Sequence, residues 1–185
     1  MTPLKEMSQI IVTLESCVVL AGFAAIVGTL QPKKTRRITK GRIVSLAMII
    51  YISLVNALLA AFTLILANFG ISDQTLWSAS SFAMSLATAF SITYLWIKKR
   101  LRTVSKISKI IYFALFGGAG CMVIINLLNA FGLGFNREYG PYFLSFVFNL
   151  FIVGYAFTRL LMRPLWAVVI ENEQQHARKS QAGTR

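Results

Sequence analysis

The feature that most constrains this chain is a series of five long apolar segments. They cover residues 9–30, 43–70, 78–97, 107–132 and 142–162. A helix that crosses the hydrocarbon core of a bilayer needs about 20 predominantly apolar residues, and each segment is long enough. Helices are the expected form, because an isolated strand in lipid leaves its backbone N–H and C=O groups unpaired. We therefore predict an all-α integral membrane bundle of five transmembrane helices.

The overall composition agrees with a membrane location. Hydrophobic residues make up 56% of the 185 residues, and charged residues only 14%. A soluble domain of this length needs more polar surface to cover its core. We predict that residues 1–170 form the transmembrane domain and that residues 171–185 form a polar cytoplasmic tail. The first segment has no basic leader and no small-residue cleavage site, so we expect it to be a retained helix.

The basic residues predict the orientation of the bundle. The connection between spans one and two contains six Lys or Arg, and six more lie between residue 98 and residue 109, around the connection of spans three and four, whereas the opposite connections contain very few. Cytoplasmic loops carry an excess of Lys and Arg, so we expect the N-terminus outside and the C-terminus in the cytoplasm. The expected membrane is the plasma membrane, which is the inner membrane in a bacterium.

The same basic residues indicate the partners of the chain. Anionic lipid headgroups attract Lys and Arg next to a span. Attraction to lipid explains the net charge of +13 without a nucleic-acid ligand. The residues that we expect at the headgroups are Lys33, Lys34, Arg36, Arg37, Lys98, Lys99, Arg100 and Arg102. Trp77, Tyr139 and Tyr142 are expected at the outer membrane interface, where amphipathic rings are enriched.

Small side chains recur every four residues along the third span. The repeat comprises Ala79, Ala83, Ala87 and Ser91. Small residues at this spacing let helix backbones approach closely in lipid. We predict that the third span lies in the middle of the bundle. The pattern is compatible with packing inside one chain, with a homo-oligomer and with contact to another membrane protein.

Polar residues within the spans form the candidate site. Glu15 is the one acidic residue well inside a span, where a charged group costs roughly 2.5–3.5 kcal/mol on insertion scales. We therefore expect Glu15 to face the bundle interior. At 1.5 Å per residue, Glu15, Ser85, Asn126 and Asn149 come about 9–10 Å below the outer face, and Asn56 comes about 20 Å below it. This count predicts a polar layer around Glu15.

Two interpretations of this layer remain open. In the first, the amide, hydroxyl and carboxyl groups join the helices through hydrogen bonds. In the second, the layer lines a water-filled vestibule that opens to the outside, with Glu15 as a cation or proton site.

The sequence contains no motif that predicts catalysis, a metal or a cofactor. The only histidine, His176, lies in the polar tail, which excludes haem ligation by paired histidines and HExxH zinc chemistry within the spans. Neither GxSxG nor GxxxxGK[ST] is present. Cys17 and Cys121 lie far apart within apolar segments and have no zinc-site spacing. We therefore expect no enzyme.

The function that the sequence favours is that of a small transporter or pore-forming protein. The alternative is a non-transporting membrane subunit or regulator whose basic loops bind anionic lipids or a cytoplasmic partner. A continuous polar path from the Glu15 layer past Asn56 favours transport, and a fully packed interior favours the alternative.

Overall fold

Five α-helices account for nearly all of the chain that the structure describes. The structure is a computed structural model that describes the backbone of residues 3–29, 40–97 and 106–182 and the side chains of residues 5–28, 45–93 and 113–161. The helices are α1 (Pro3–Thr29), α2 (Lys40–Asn68), α3 (Asp73–Ile97), α4 (Lys106–Phe131) and α5 (Tyr139–Ala182). The prediction of an all-α fold is confirmed for these residues. α5 continues through most of the segment that we expected to be a tail.

Four of the five helices are long and apolar enough to cross a membrane. The qualifying segments are Lys5–Gly28, Ser45–Asn68, Phe113–Phe131 and Tyr139–Leu161. α3 has 25 residues but a lower hydropathy, because Ser and Thr recur along it. These segments support a membrane protein.

Short connections join α2 to α3 and α4 to α5 at one end of the bundle. They comprise residues 69–72 and 132–138, and we call this end the turn end. The opposite end, where α2 and α4 begin, is the loop end. Gly132 ends α4 in the left-handed conformation with a φ of 71°. There the amide of Leu133 donates to the carbonyl of Leu128 at 2.8 Å, a pattern that caps helices and favours glycine at the turning residue.

α5 occupies the centre of the bundle. It contacts each of the other four helices, whereas α1 packs mainly against α2. The prediction that the third span lies in the middle is therefore wrong. The physical reason is that Tyr142 and Phe146 of α5 are fully buried and fill the centre, while Ala79 and Ala83 of α3 are only half-buried.

Two groups of buried apolar residues form the core. The group nearer the turn end draws on α1, α2, α3 and α5 and comprises Ile10, Ala60, Leu76, Trp77, Met84, Tyr139, Tyr142 and Phe146. The group nearer the loop end draws on α1, α2 and α5 and comprises Ala24, Ile49, Val153, Ala156 and Leu160. α4 contributes to neither group, and part of its inner face lines a cavity instead.

Candidate functional site

A cavity of about 300 Å³ lies among α2, α3, α4 and α5. Its walls are mainly apolar and include Ile52 of α2, Phe116 and Ala119 of α4 and Ile152 of α5. These residues belong to the middle of the bundle and to its loop-end half. A largely apolar cavity of this size with a few polar groups is typical of a small-molecule site.

Two asparagine side chains form the inner end of the cavity. The Nδ2 of Asn149 donates to the Oδ1 of Asn56 at 2.9 Å and lies 3.9 Å from the Sδ of Met84. The side chain of Asn56 is fully buried, and its Nδ2 has no hydrogen-bond partner among the described residues. A buried donor without a partner costs about 1–3 kcal/mol. An amide near the inner end of the cavity therefore still has a hydrogen bond to donate.

The lining of the cavity is less buried towards the loop end. On α2, Ala47 and Tyr51 are exposed and Met48 is half-buried, whereas Asn56 on α2 and Met84 on α3 are buried. The phenol of Tyr51 is hydrogen-bonded to the hydroxyl of Ser91 at 3.2 Å, which joins α2 to α3 at this rim. Burial of the lining thus increases from the loop end towards the amide pair.

A hydroxyl network closes the bundle on the turn-end side of the amide pair. The Oγ1 of Thr63 lies 2.7 Å from the Oη of Tyr142 and 3.0 Å from the Oγ of Ser80. Tyr142 also donates to the carbonyl oxygen of Leu59 at 3.0 Å. The side chains of Thr63, Ser80 and Tyr142 are fully buried, so the network joins α2, α3 and α5 without an opening.

Aromatic rings pack between this network and the turn end. The ring of Trp77 lies 5.0 Å from that of Tyr139 in an edge-on contact, and Tyr142 meets Phe146 edge-on at 4.9 Å. Trp77, Tyr139 and Tyr142 are buried against one another near the turn end, and their expected position at the outer membrane interface stays a prediction. They meet because α3 and α5 both begin at the turn end, which brings their first turns together.

Hydrogen bonds attach the turn-end half of α4 to α3. Ser78 donates to the carbonyl of Ala130 at 2.6 Å, and Ser85 donates to the carbonyl of Val123 at 3.1 Å. The Nδ2 of Asn129 donates to the Oγ of Ser81 at 2.8 Å. The loop-end half of α4 lines the cavity instead.

Asn56 and Asn149 are the two predicted site residues that the structure brings together at the cavity. Measured from the helix ends at 1.5 Å per residue, Asn56 lies about 18 Å from Asn68 and Asn149 lies about 15 Å from Tyr139. The two residues therefore share one level, whereas the sequence predicted levels about 10 Å apart. The difference arises mainly because α5 begins at residue 139 rather than at the predicted residue 142, and because α2 ends at residue 68 rather than at residue 70.

Ser85 and Asn126 form contacts elsewhere in the bundle. Asn126 of α4 donates to the hydroxyl of Ser145 on α5 and to its own helix at Met122, and its Oδ1 is buried without a partner among the described residues. Ser85 bonds to the α4 backbone at Val123. These residues join helices, which agrees with the first of the two interpretations of the predicted polar layer.

Glu15 lies on the exposed face of α1 and does not join the other polar residues. The inward face of α1 is formed by Ile10, Thr13, Cys17 and Ala24, which are buried. A helix turns about 100° per residue, so Glu15 lies about 200° around the helix from Cys17. The expectation that Glu15 faces the bundle interior is therefore wrong.

The remaining predicted residues are distributed as follows. The small residues Ala79, Ala83, Ala87 and Ser91 are half-buried, and Ala87 and Ser91 also line the cavity. The predicted headgroup residues Lys33, Lys34, Arg36, Arg37, Lys98, Lys99, Arg100 and Arg102 lie outside the described residues.

The closing network around Thr63 was not predicted from the sequence. Asn56 and Thr63 are seven residues apart on α2, which places them on one helix face. That spacing was a signal for a polar stripe facing the interior. Comparison with protein-family models, with curated proteins and with solved structures finds no match to this chain.

Proposed function

We propose that this chain is a small membrane transporter that binds its substrate in the cavity among α2, α3, α4 and α5. The observation that carries this proposal is the sidedness of the bundle. The cavity lining is exposed near Tyr51 in the loop-end half and reaches Asn56 and Leu59, beyond which Thr63 and Tyr142 are fully buried, so we propose that substrate enters from the loop end. A site near the midplane that is reachable from one side at a time is the arrangement that alternating access requires.

The packing favours a carrier over an open pore. Thr63, Ser80 and Tyr142 are buried and hydrogen-bonded to one another across three helices. A pore needs a continuous polar path, and the aromatic rings of Trp77 and Phe146 occupy the interior towards the turn end instead. The transport cycle then requires these contacts to separate when the loop end closes.

α4 is the helix best placed to move in such a cycle. Its turn-end half is bonded to α3 at Val123 and Ala130, while Phe116 and Ala119 in its loop-end half form the cavity wall. The cavity beside Phe116 and Ala119 gives this part of α4 space to shift inward while the turn-end half stays attached.

The orientation belongs to the same proposal. The Lys-rich and Arg-rich connections of the sequence leave the bundle at the loop end, so we place that end in the cytoplasm and the N-terminus outside. We also place α3 across the membrane as a fifth span, because its Ser78, Ser80 and Ser85 hydroxyls are hydrogen-bonded inside the bundle. Satisfied hydroxyls remove most of the cost of placing such a helix in lipid.

Cysteine accessibility tests the transport proposal. In a variant with Cys17→Ala and Cys121→Ala, a single Ala87→Cys places a thiol in the cavity wall. A membrane-impermeant methanethiosulfonate reacts with thiolates, which form only in contact with water. We expect fast reaction from the loop end and slower, measurable reaction from the turn end, in inside-out and right-side-out vesicles respectively.

Two matched controls define the outcome of this experiment. Ala60→Cys lies in the buried turn-end core and should react from neither side, and Leu86→Cys lies next to Ala87 on the exposed face and should remain dry in lipid. Reaction of Ala87→Cys from the loop end alone contradicts transport. Reaction from neither side shows a dry interior and favours the alternative, a non-transporting membrane subunit.

A further inference from the structure

We infer that the molecule bound in this cavity is uncharged, has an apolar body of about two fused rings, and presents a hydrogen-bond acceptor to the Nδ2 of Asn56. This inference rests on the proposed function and names the chemical class of the substrate. It follows from the charge, the hydrogen bonding and the volume of the cavity.

The described lining of the cavity favours an uncharged ligand. None of the described residues that line it is Asp, Glu, Lys, Arg or His. An ion taken from water into an apolar site without a counter-ion loses far more solvation free energy than these walls return. The polar side chains that are present are amides and hydroxyls, such as Asn56, Thr88 and Ser91.

The amide pair requires an acceptor on the ligand. Asn149 uses its Nδ2 to donate to the Oδ1 of Asn56, so the Nδ2 of Asn56 has no acceptor within the pair. A primary amide carries two N–H donors and a carbonyl oxygen that accepts up to two hydrogen bonds, and in this pair the buried donor without a partner among the described residues is the Nδ2 of Asn56. A carbonyl or ether oxygen on the ligand pairs with this buried donor, and a hydrocarbon leaves it unpaired.

The volume sets the size of the apolar body. An engineered protein cavity of about 150 Å³ binds benzene. The present cavity, at about 300 Å³, is twice that volume and accommodates roughly twice as many non-hydrogen atoms. A bicyclic aromatic ring with one small polar substituent has this size.

A pair of probes of matched shape tests the inference. Methyl naphthyl ketone carries a carbonyl acceptor, and isopropylnaphthalene has the same shape without it. Equilibrium dialysis measures the binding of each probe to the purified chain in lipid nanodiscs, with empty nanodiscs as the reference for partition into lipid. We expect the ketone to bind roughly fivefold more tightly than the hydrocarbon, which corresponds to one net hydrogen bond.

Three variants locate the site and its donor. Ala87→Leu fills the cavity and should weaken the binding of both probes. Asn56→Leu removes the donor and should abolish the preference for the ketone while the hydrocarbon still binds, which also shows that the variant is folded. Asn68→Leu makes the same substitution at an exposed position on α2 and should leave both affinities unchanged.

Other outcomes overturn the inference. Equal affinity of the two probes for the native chain shows that no hydrogen bond to the ketone contributes to binding. Unchanged binding to Ala87→Leu shows that the probes bind elsewhere. The same loss of both probes in Asn56→Leu means that Asn56 only supports the structure. The cysteine accessibility experiment uses no ligand probe, so the two proposals can fail separately. Reaction of Ala87→Cys from both sides without a preference for the ketone refutes the ligand class alone. A preference for the ketone with reaction from the loop end only refutes transport alone.

Discussion

Replacing Asn129 with Leu tests whether one buried amide holds the turn between α4 and α5. Asn129 is fully buried, and its Nδ2 donates to the Oγ of Ser81 at 2.8 Å and to the carbonyl of Glu138 at 2.9 Å. Its Oδ1 accepts from the amide of Glu138 at 3.0 Å. Asn129→Leu has a similar volume and removes all three hydrogen bonds.

The magnitude follows from these three contacts. Hydrogen bonds between side chains in membrane bundles average about 0.6 kcal/mol in double-mutant cycles, so three give roughly 2 kcal/mol. The variant also leaves the amide of Glu138 without its acceptor, which raises the loss towards about 4 kcal/mol. We therefore expect the free energy of unfolding to fall by about 2–4 kcal/mol.

Reversible unfolding in mixed micelles, followed by tryptophan fluorescence, measures this change. The matched control is Asn68→Leu, since Asn68 ends α2 at the same end of the bundle but is exposed, and its substitution should change the stability by less than about 0.5 kcal/mol. Hydrogen exchange gives a local measurement, because the amide of Glu138 should exchange about thirtyfold faster for a loss of 2 kcal/mol. Equal, small effects of Asn129→Leu and Asn68→Leu would refute the reasoning.

Three further predictions follow from the contacts described above. Gly118→Ala should lower the stability in the same micelle assay, because its Cβ meets the ring of Phe148 at 2.5 Å. The control Gly120→Ala meets no atom within 4 Å and should be neutral or stabilising, and equal effects of the two variants contradict the close contact of α4 with α5. Tyr142→Phe removes the phenol from the closing network and should raise the reactivity of the cavity cysteine from the turn end about fivefold, for a loss of roughly 1 kcal/mol; an unchanged rate means that this network does not close the bundle. Glu15→Gln should change the affinity for methyl naphthyl ketone less than twofold, because Glu15 faces away from the cavity, and a larger change in dialysis argues for a site on α1.

The sequence predicted the helices well because hydrophobic length is a local property. Each observed helix overlaps a predicted apolar segment, and the ends differ by a few residues except at the end of α5. That end differs because helix formation continues into polar sequence, while the prediction marked only the apolar segment. The observed start of α5 at Tyr139 also corrected the relative level of Asn149.

Which polar residues meet was harder to predict, because it depends on how each helix is rotated about its axis. Counting residues gives the depth of Glu15 but not the face of α1 on which it lies, and the packing of Ile10, Thr13 and Cys17 turns that face outward. The same limit explains why Thr63 and Tyr142 were not recognised as partners. They are separated by 79 residues along the chain and meet only when α2 packs against α5.

The sequence alone determined that this chain forms long apolar helices with basic residues gathered in two connections. Hydropathy and charge act over short stretches of chain, so composition and spacing suffice to specify them. Tertiary structure decided that α5 is central, that Asn56 pairs with Asn149, and that α4 leaves a cavity beside them. These features depend on how each helix is rotated about its axis, and the rotations are set by the joint packing of side chains from all five helices. No single segment of the sequence contains that information.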